Sequence, residues 1–310
     1  MYRYIFKRLL IMIPVLLCVS FIVFGLMALA PGDPASIILG GTAEQEQIDK
    51  LNHEFGYDRP FLIRYGDFLQ NLIFNLDFGT SYRTRQPVIE EIAKRTPVSI
   101  TLALCGITCA ALVGIPIGVL SAVKQYSLLD TILTVSALFL GAIPPFWLGM
   151  LLIYFCSYKA GWLPSFGIDS WINYILPAAS IGIIYAAQQM RYTRSSMLET
   201  IRQDYVRTAR AKGAAERTVI WRHALKNALL PTITVIGSNF GALIGGAIIV
   251  ESLFSIPGLG TLTITGINNR DVPQVVAATL VLAIIYCLVL LLVDILYAAI
   301  DPRVKAKFTK

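Results

Sequence analysis

Charge is scarce: 15% of the 310 residues are Asp, Glu, Lys or Arg, against 56% apolar residues and a mean hydropathy of +0.67. That balance excludes a pair of ordinary soluble domains, although the length would allow them. Histidine is nearly absent, with His53 and His223 alone. Cys105 and Cys109 therefore share a helix face without the further ligands that zinc requires. All five cysteines (Cys18, Cys105, Cys109, Cys156 and Cys287) fall in or beside apolar runs, where a free thiol behaves as a small hydrophobe. No disulfide framework is indicated. A Gly-Lys-Ser/Thr phosphate loop is missing, so the chain is not expected to hydrolyse ATP. The apolar runs also lack ionisable residues deep inside, since Asp130, Glu251 and Asp294 lie near their ends. An ion-coupled secondary transporter would need such groups, and an intramembrane enzyme would need a gathered polar set. The formal charge of +7 resides in short segments between apolar runs, which argues for a membrane surface and against nucleic acid.

What remains is an all-α polytopic membrane protein. Six runs are long enough to cross a hydrocarbon core of roughly 30 Å at about 1.5 Å per residue: 9–30, 98–123, 128–158, 172–189, 229–250 and 275–299. Ala28-Leu29-Ala30 mimics a signal cleavage site, but the preceding run exceeds a signal-peptide core and reads as an uncleaved first span. The chain divides into an N-terminal segment with the first transmembrane helix (1–30), a sizeable external loop between helices 1 and 2 (31–97), a five-helix core (98–300) and a tail (301–310). The loop mixes acids, arginines and aromatics; Gln45 to Phe55 and Pro60 to Phe74 read as short helices, and its length implies order or function. Contact with an external protein and a simple lid both remain open.

Several positions stand out within the core. Thr101, Thr108, Gly114, Pro116 and Gly118 allow close contact or a kink in the second span. Pro144-Pro145 removes two successive backbone donors from the third, implying either a kink at a helix end or a break near a pathway. Gly237, Gly241 and Gly245 recur at intervals of four in the fifth span and form a smooth face, for helix packing or for a subunit seam or pore. Glu251 follows, as a gate, a substrate contact or a structural carboxylate at the membrane boundary.

The segment 191–228 between the fourth and fifth spans is basic. Ser196 and Glu199 have capping-box spacing, predicting a helix that starts there and runs through Ile201, Tyr205, Val206 and Ala209 to Lys212, where Gly213 ends it. Ile220, Trp221, Ala224, Leu225 and Ala228 predict a second short helix up to Leu230-Pro231. An amphipathic helix lying on anionic lipid is the plain alternative.

Tyr205-Val206-Arg207-Thr208-Ala209-Arg210-Ala211-Lys212-Gly213, followed by Arg222-His223-Ala224-Leu225 and Leu230-Pro231, resembles the EAA loop of bacterial ABC importer permeases, in particular the dipeptide, oligopeptide and nickel subfamily. The family's Glu-Ala-Ala is Arg207-Thr208-Ala209 here, which removes any role needing the glutamate charge. Leu76 to Ser81 with Pro87-Val88, and Val293 to Tyr297 with Asp301-Pro302-Arg303, are similar to the same subfamily.

The resemblance implies a type I ABC importer permease fold. It also implies that Tyr205, Arg207, Thr208, Ala209, Lys212, Gly213 and Ala214 form a coupling helix fitting a groove on a separate ATPase. Two ATP-binding subunits, a second homologous permease in a heterodimer, an external substrate-binding protein and the lipid bilayer are the implied partners. No cofactor is expected on this chain, ATP and Mg belonging to the ATPase subunits. Peptides, a nickel complex or glutathione are the implied cargo. Seventeen of the 26 basic residues fall in segments that place both termini in the cytoplasm of a bacterial inner-membrane protein.

Overall fold

The structure, a computed structural model, describes residues 2–40 and 43–300. The described residues are helical apart from turns and one isolated antiparallel bridge, Thr80 to Pro87. In chain order the helices are α1 (Tyr2–Leu29), α2 (Pro34–Leu39), α3 (Gln45–Glu54), α4 (Phe61–Asn75), α5 (Val88–Val123), α6 (Leu128–Ala142), α7 (Pro145–Leu152), α8 (Ile175–Ile201), α9 (Asp204–Ala211), α10 (Glu216–Thr218), α11 (Leu225–Leu253), α12 (Leu259–Asn268) and α13 (Val272–Ile300). π-Helical turns follow α7 (Ile153–Lys159) and precede α11 (Val219–Ala224). The fold divides into two units, residues 1–5, 101–255 and 286–310 in one, and 6–100 and 256–285 in the other.

Among the described residues, three helices are long and apolar enough to cross a membrane: Tyr4–Leu29, Val88–Val123 and Val272–Leu296. Two bent pairs also qualify. Leu128–Ala142 and Pro145–Lys159 meet at 100°, and Glu216–Leu229 and Pro231–Gly245 at 55°. The expected fourth span corresponds to α8, whose 27 residues would reach across a bilayer. It is less apolar than the others, and Ser180, Gln189 and Thr193 on it are buried by protein. A helix surrounded by protein needs less hydrocarbon character than one facing lipid.

In the first unit α8 packs against α6, α7 and α11. Small residues bring α5 onto it: a β-carbon at Gly114 would lie 2.6 Å from the Ala186 carbonyl oxygen, and one at Gly118 2.6 Å from that of Met190. Backbone contact this close tolerates no side chain. On α11, Gly237 faces Val293 and Gly241 faces the Tyr286 ring, both on α13. Tyr4 donates to Asp294 Oδ2 at 2.8 Å, so the beginning of α1 lies beside the end of α13.

In the second unit Phe24 and Met27 pack with Val272, Val275, Val276 and Leu280, and Tyr57, Phe61, Tyr65 and Phe68 close over them. The 31–97 segment is fastened by polar side chains. Asp33 caps α2 through the Ser36 N–H (2.8 Å) and receives the Asn52 amide (2.9 Å). Burial alone would raise the Asp33 carboxyl pKa, but these donors outweigh it and hold the group below its ordinary value. Fully buried Asp271 receives the Ser81 hydroxyl, while Arg270 donates to the Pro31 carbonyl at 2.6 Å.

Sequence expectations and structure differ at several helix ends. Ser196 starts no helix: it lies inside α8, and its hydroxyl donates to the Ala228 carbonyl at 2.8 Å. The new helix starts at Asp204, after Gln203. The second short helix does not stop at Leu230-Pro231, because α11 continues through Pro231 and absorbs the missing donor as a bend. The helix that carries the second span begins at Val88, upstream of the apolar run 98–123. In the turn where Pro97 supplies no N–H, Thr96 donates its hydroxyl to the Ile92 carbonyl at 2.7 Å. The stretch after Glu251, which the sequence pattern left unassigned, holds α12, with Ser99 Oγ accepting the Leu259 N–H (2.8 Å) and Gln274 Nε2 donating to the Leu262 carbonyl (2.8 Å).

Candidate functional site

The elbow between α8 and α11 is built on one buried side chain. Val206 is fully buried among Val119, Ala122, Met197, Val219, Ile220 and Ala224, a burial worth roughly 1.5–3 kcal/mol. Around it the α9 helix is amphipathic: Ala209 and Ala214 lean on the same cluster, whereas Tyr205, Arg207, Thr208 and Lys212 are exposed. One face is fixed, and the other is presented.

The turn that follows has a defined chemistry. Gly213 N–H donates to the Arg210 carbonyl (2.9 Å) and Ala214 N–H to the Ala209 carbonyl (3.3 Å), the paired bonds of a Schellman motif. Gly213 has φ of +77° and open space around it, so backbone conformation alone demands glycine, at about 1–2 kcal/mol for another residue. Across the turn Arg210 grips Glu216 with two bonds, 3.1 and 2.7 Å. The guanidinium holds the Glu216 carboxyl below its ordinary value and is itself raised by the partner. Both side chains are substantially exposed, 38% and 56%, so the pair adds roughly 0.2–1 kcal/mol. Val206 burial, the larger contribution, sets the position of the elbow.

A second polar lock lies nearby and escaped sequence reasoning. Arg194 donates to both oxygens of Asp130 at 2.8 Å, and Ser121, the Tyr126 N–H (3.0 Å) and Thr134 (3.4 Å) complete the shell. Asp130 is 4% exposed. The lock joins the end of α5, the start of α6 and the α8 stem that leads to the elbow. Its sequence signal was Ser127, which caps α6 by accepting the Asp130 N–H. Counting Asp130 and Arg194 as separate boundary charges hid it.

The other singled-out residues do not converge on the elbow. Pro144 precedes and Pro145 opens α7, at the 100° break; Pro145 occupies the first helical position, where its lack of N–H costs little. Gly237 and Gly241 are covered by α13, whereas Gly245 has open space where a β-carbon would lie. Glu251, near the end of α11, is 1% exposed.

Residues 114–306 match the family described as Binding-protein-dependent transport system inner membrane component, and residues 1–103 match its N-terminal counterpart. The glutathione transport system permease protein GsiC of Pectobacterium atrosepticum is 42% identical over 310 residues, covering 99% of this chain and 100% of the relative. Its Escherichia coli counterpart is 39% identical over 307 residues, with the same coverage. Among solved structures, an inward-facing MetNI methionine ABC transporter superposes with a TM-score of 0.59 at 18% identity, over 69% of this chain and 97% of that one. An amino acid ABC transporter crystallised with histidines gives 0.51 at 15%, over 69% and 94%. These two show the shared fold. The helical bundle and the elbow thus belong to a chain of the binding-protein-dependent transport system inner membrane component family, a multi-pass ABC importer permease of the inner membrane.

Proposed function

We propose that this permease forms part of the translocation path for a small peptide-like solute delivered by an external binding protein, and that separate ATPase subunits drive it through residues 205–215. The observation that carries the reading is the two-faced α9: Val206 is locked into the core of its unit while Tyr205, Arg207, Thr208 and Lys212 are offered to a partner. Nucleotide binding that favours one ATPase arrangement biases the permease only through a contact that differs between states. An exposed helix anchored from beneath supplies such a contact. ATP and Mg then reside on two ATP-binding subunits, and a second homologous permease completes the path in a heterodimer. Both termini face the cytoplasm; the basic bias of the elbow side and the Tyr4–Asp294 bond support a common side.

Glutathione is the favoured cargo, because the relatives at 39–42% identity are named for its transport. A dipeptide, an oligopeptide or a nickel complex is the alternative within the same role. Mass spectrometry of what the purified binding protein retains decides among them, and recovery of a nickel complex alone would displace glutathione. The coupling reading is tested with Gly213→Val in proteoliposomes containing the assembled importer. Strain in the left-handed turn is expected to lower uptake at least several-fold while membrane insertion and assembly persist. Wild-type uptake by that variant would refute the elbow assignment.

A further inference from the structure

In the unit formed by 6–100 and 256–285, a cavity of about 540 Å³ opens among α1, α3, α4 and the 77–85 turn, within the size range of small-molecule sites. Arg59, Arg64 and Arg85 line it together with Glu54, Asp67 and Asp77. The charges do not simply cancel. Glu54 is engaged by Arg85 at 2.7 Å and Asp67 by Arg59 at 3.3 Å, while Asp77 accepts the Gly79 N–H at 2.8 Å. Among the described residues Arg64 has no carboxylate partner; its guanidinium interacts with the Tyr82 side chain, which lines the same cavity, but its Nη2 is buried without a hydrogen-bond partner.

Aromatic rings set the orientation of that guanidinium. Its central carbon lies 4.0 Å from the Tyr57 ring centroid and 5.6 Å from that of Phe24. Stacking occupies the flat faces of a guanidinium and leaves its edge, where the N–H fork lies, for a planar acceptor. A buried donor left unmatched is costly, and a carboxylate is the acceptor that satisfies it with charge and geometry together.

We propose that this cavity binds a small carboxylate-bearing solute whose carboxylate pairs with the Arg64 guanidinium. Nothing in the proposed coupling mechanism requires the site, and binding here needs neither ATP nor flux. The failure of one reading therefore leaves the other standing.

Diglycine, the smallest peptide carboxylate, is the probe, with diglycine amide as its uncharged-end control. Binding is followed by ligand-observed NMR on the intact importer in nanodiscs, without its binding protein. The wild type binds diglycine and is expected to lose about tenfold or more in affinity for the amide, the scale of one charge-assisted bond. Arg64→Gln loses a similar factor for diglycine and is indifferent to amidation; Arg64→Lys, which keeps charge but not the fork, recovers only part. Should Arg64→Gln fail to fold, the amide comparison on the wild type still decides. Equal binding of both probes by the wild type, or undiminished diglycine binding by folded Arg64→Gln, overturns the proposal. So does absence of diglycine binding together with Arg64-dependent capture of the binding protein, which would give the carboxylate to that protein.

Discussion

Gly237, Gly241 and Gly245 share one spacing but not one environment. A side chain at either of the first two collides with Val293 or Tyr286, whereas one at Gly245 meets nothing within 4 Å. Two glycines pack α11 against α13 within the chain, and the third leaves open space on α11, where the proposed partner permease would pack. Gly237→Ala and Gly241→Ala are therefore expected to lower the melting temperature of the purified chain, with overpacking costs of about 1–3 kcal/mol. Gly245→Ala should leave that temperature unchanged yet weaken recovery of the partner permease on co-purification. Equal destabilisation by all three would remove the distinction. The spacing made the stripe legible; which glycine is covered depended on where α13 runs, and no local pattern encodes that.

At the scale of elements, the α9–α10 corner combines an apolar anchor, a glycine turn and a charged clasp. Because Arg210 depresses the folded-state pKa of Glu216, the clasp contributes stability that is fully present above the unfolded glutamate value of about 4.3. That contribution is lost as pH falls through the lower folded value. The melting-temperature advantage of the wild type over Glu216→Gln should thus be constant near neutrality, shrink below about pH 4.3 and vanish in stronger acid. An advantage that grew on acidification would reverse the sign and refute the clasp. Helix ends followed the sequence where a strong stop existed, as at Lys212-Gly213. They departed from it where tertiary packing intervened: Ser196 found the Ala228 carbonyl across the bundle, and Pro97 and Pro231 were absorbed within longer helices. Pro144-Pro145 was legible as an interruption, but its 100° angle was not. The Asp130–Arg194 lock was hidden for a related reason, since its partners lie 64 residues apart.

For the whole molecule, sidedness is the claim on which the mechanism turns. Force from an ATPase can enter only at a surface that faces the cytoplasm, and a binding protein can deliver only to the opposite one. Lys50, on α3, and Lys212, at the end of α9, are both exposed, so each can carry a reporter thiol once the five native cysteines are replaced. A membrane-impermeant maleimide added to cells whose cytoplasmic membrane is intact should label Lys50→Cys at once. Lys212→Cys should react only after that membrane is permeabilised. With ATPase subunits and nucleotide present, Lys212→Cys should then be shielded while Lys50→Cys stays reactive, because a docked motor excludes reagent from the elbow alone. Labelling of Lys212→Cys from outside, or shielding of both positions alike, would mean that the elbow is not the point of entry. The buried anchor at Val206 would then be structural packing and nothing more.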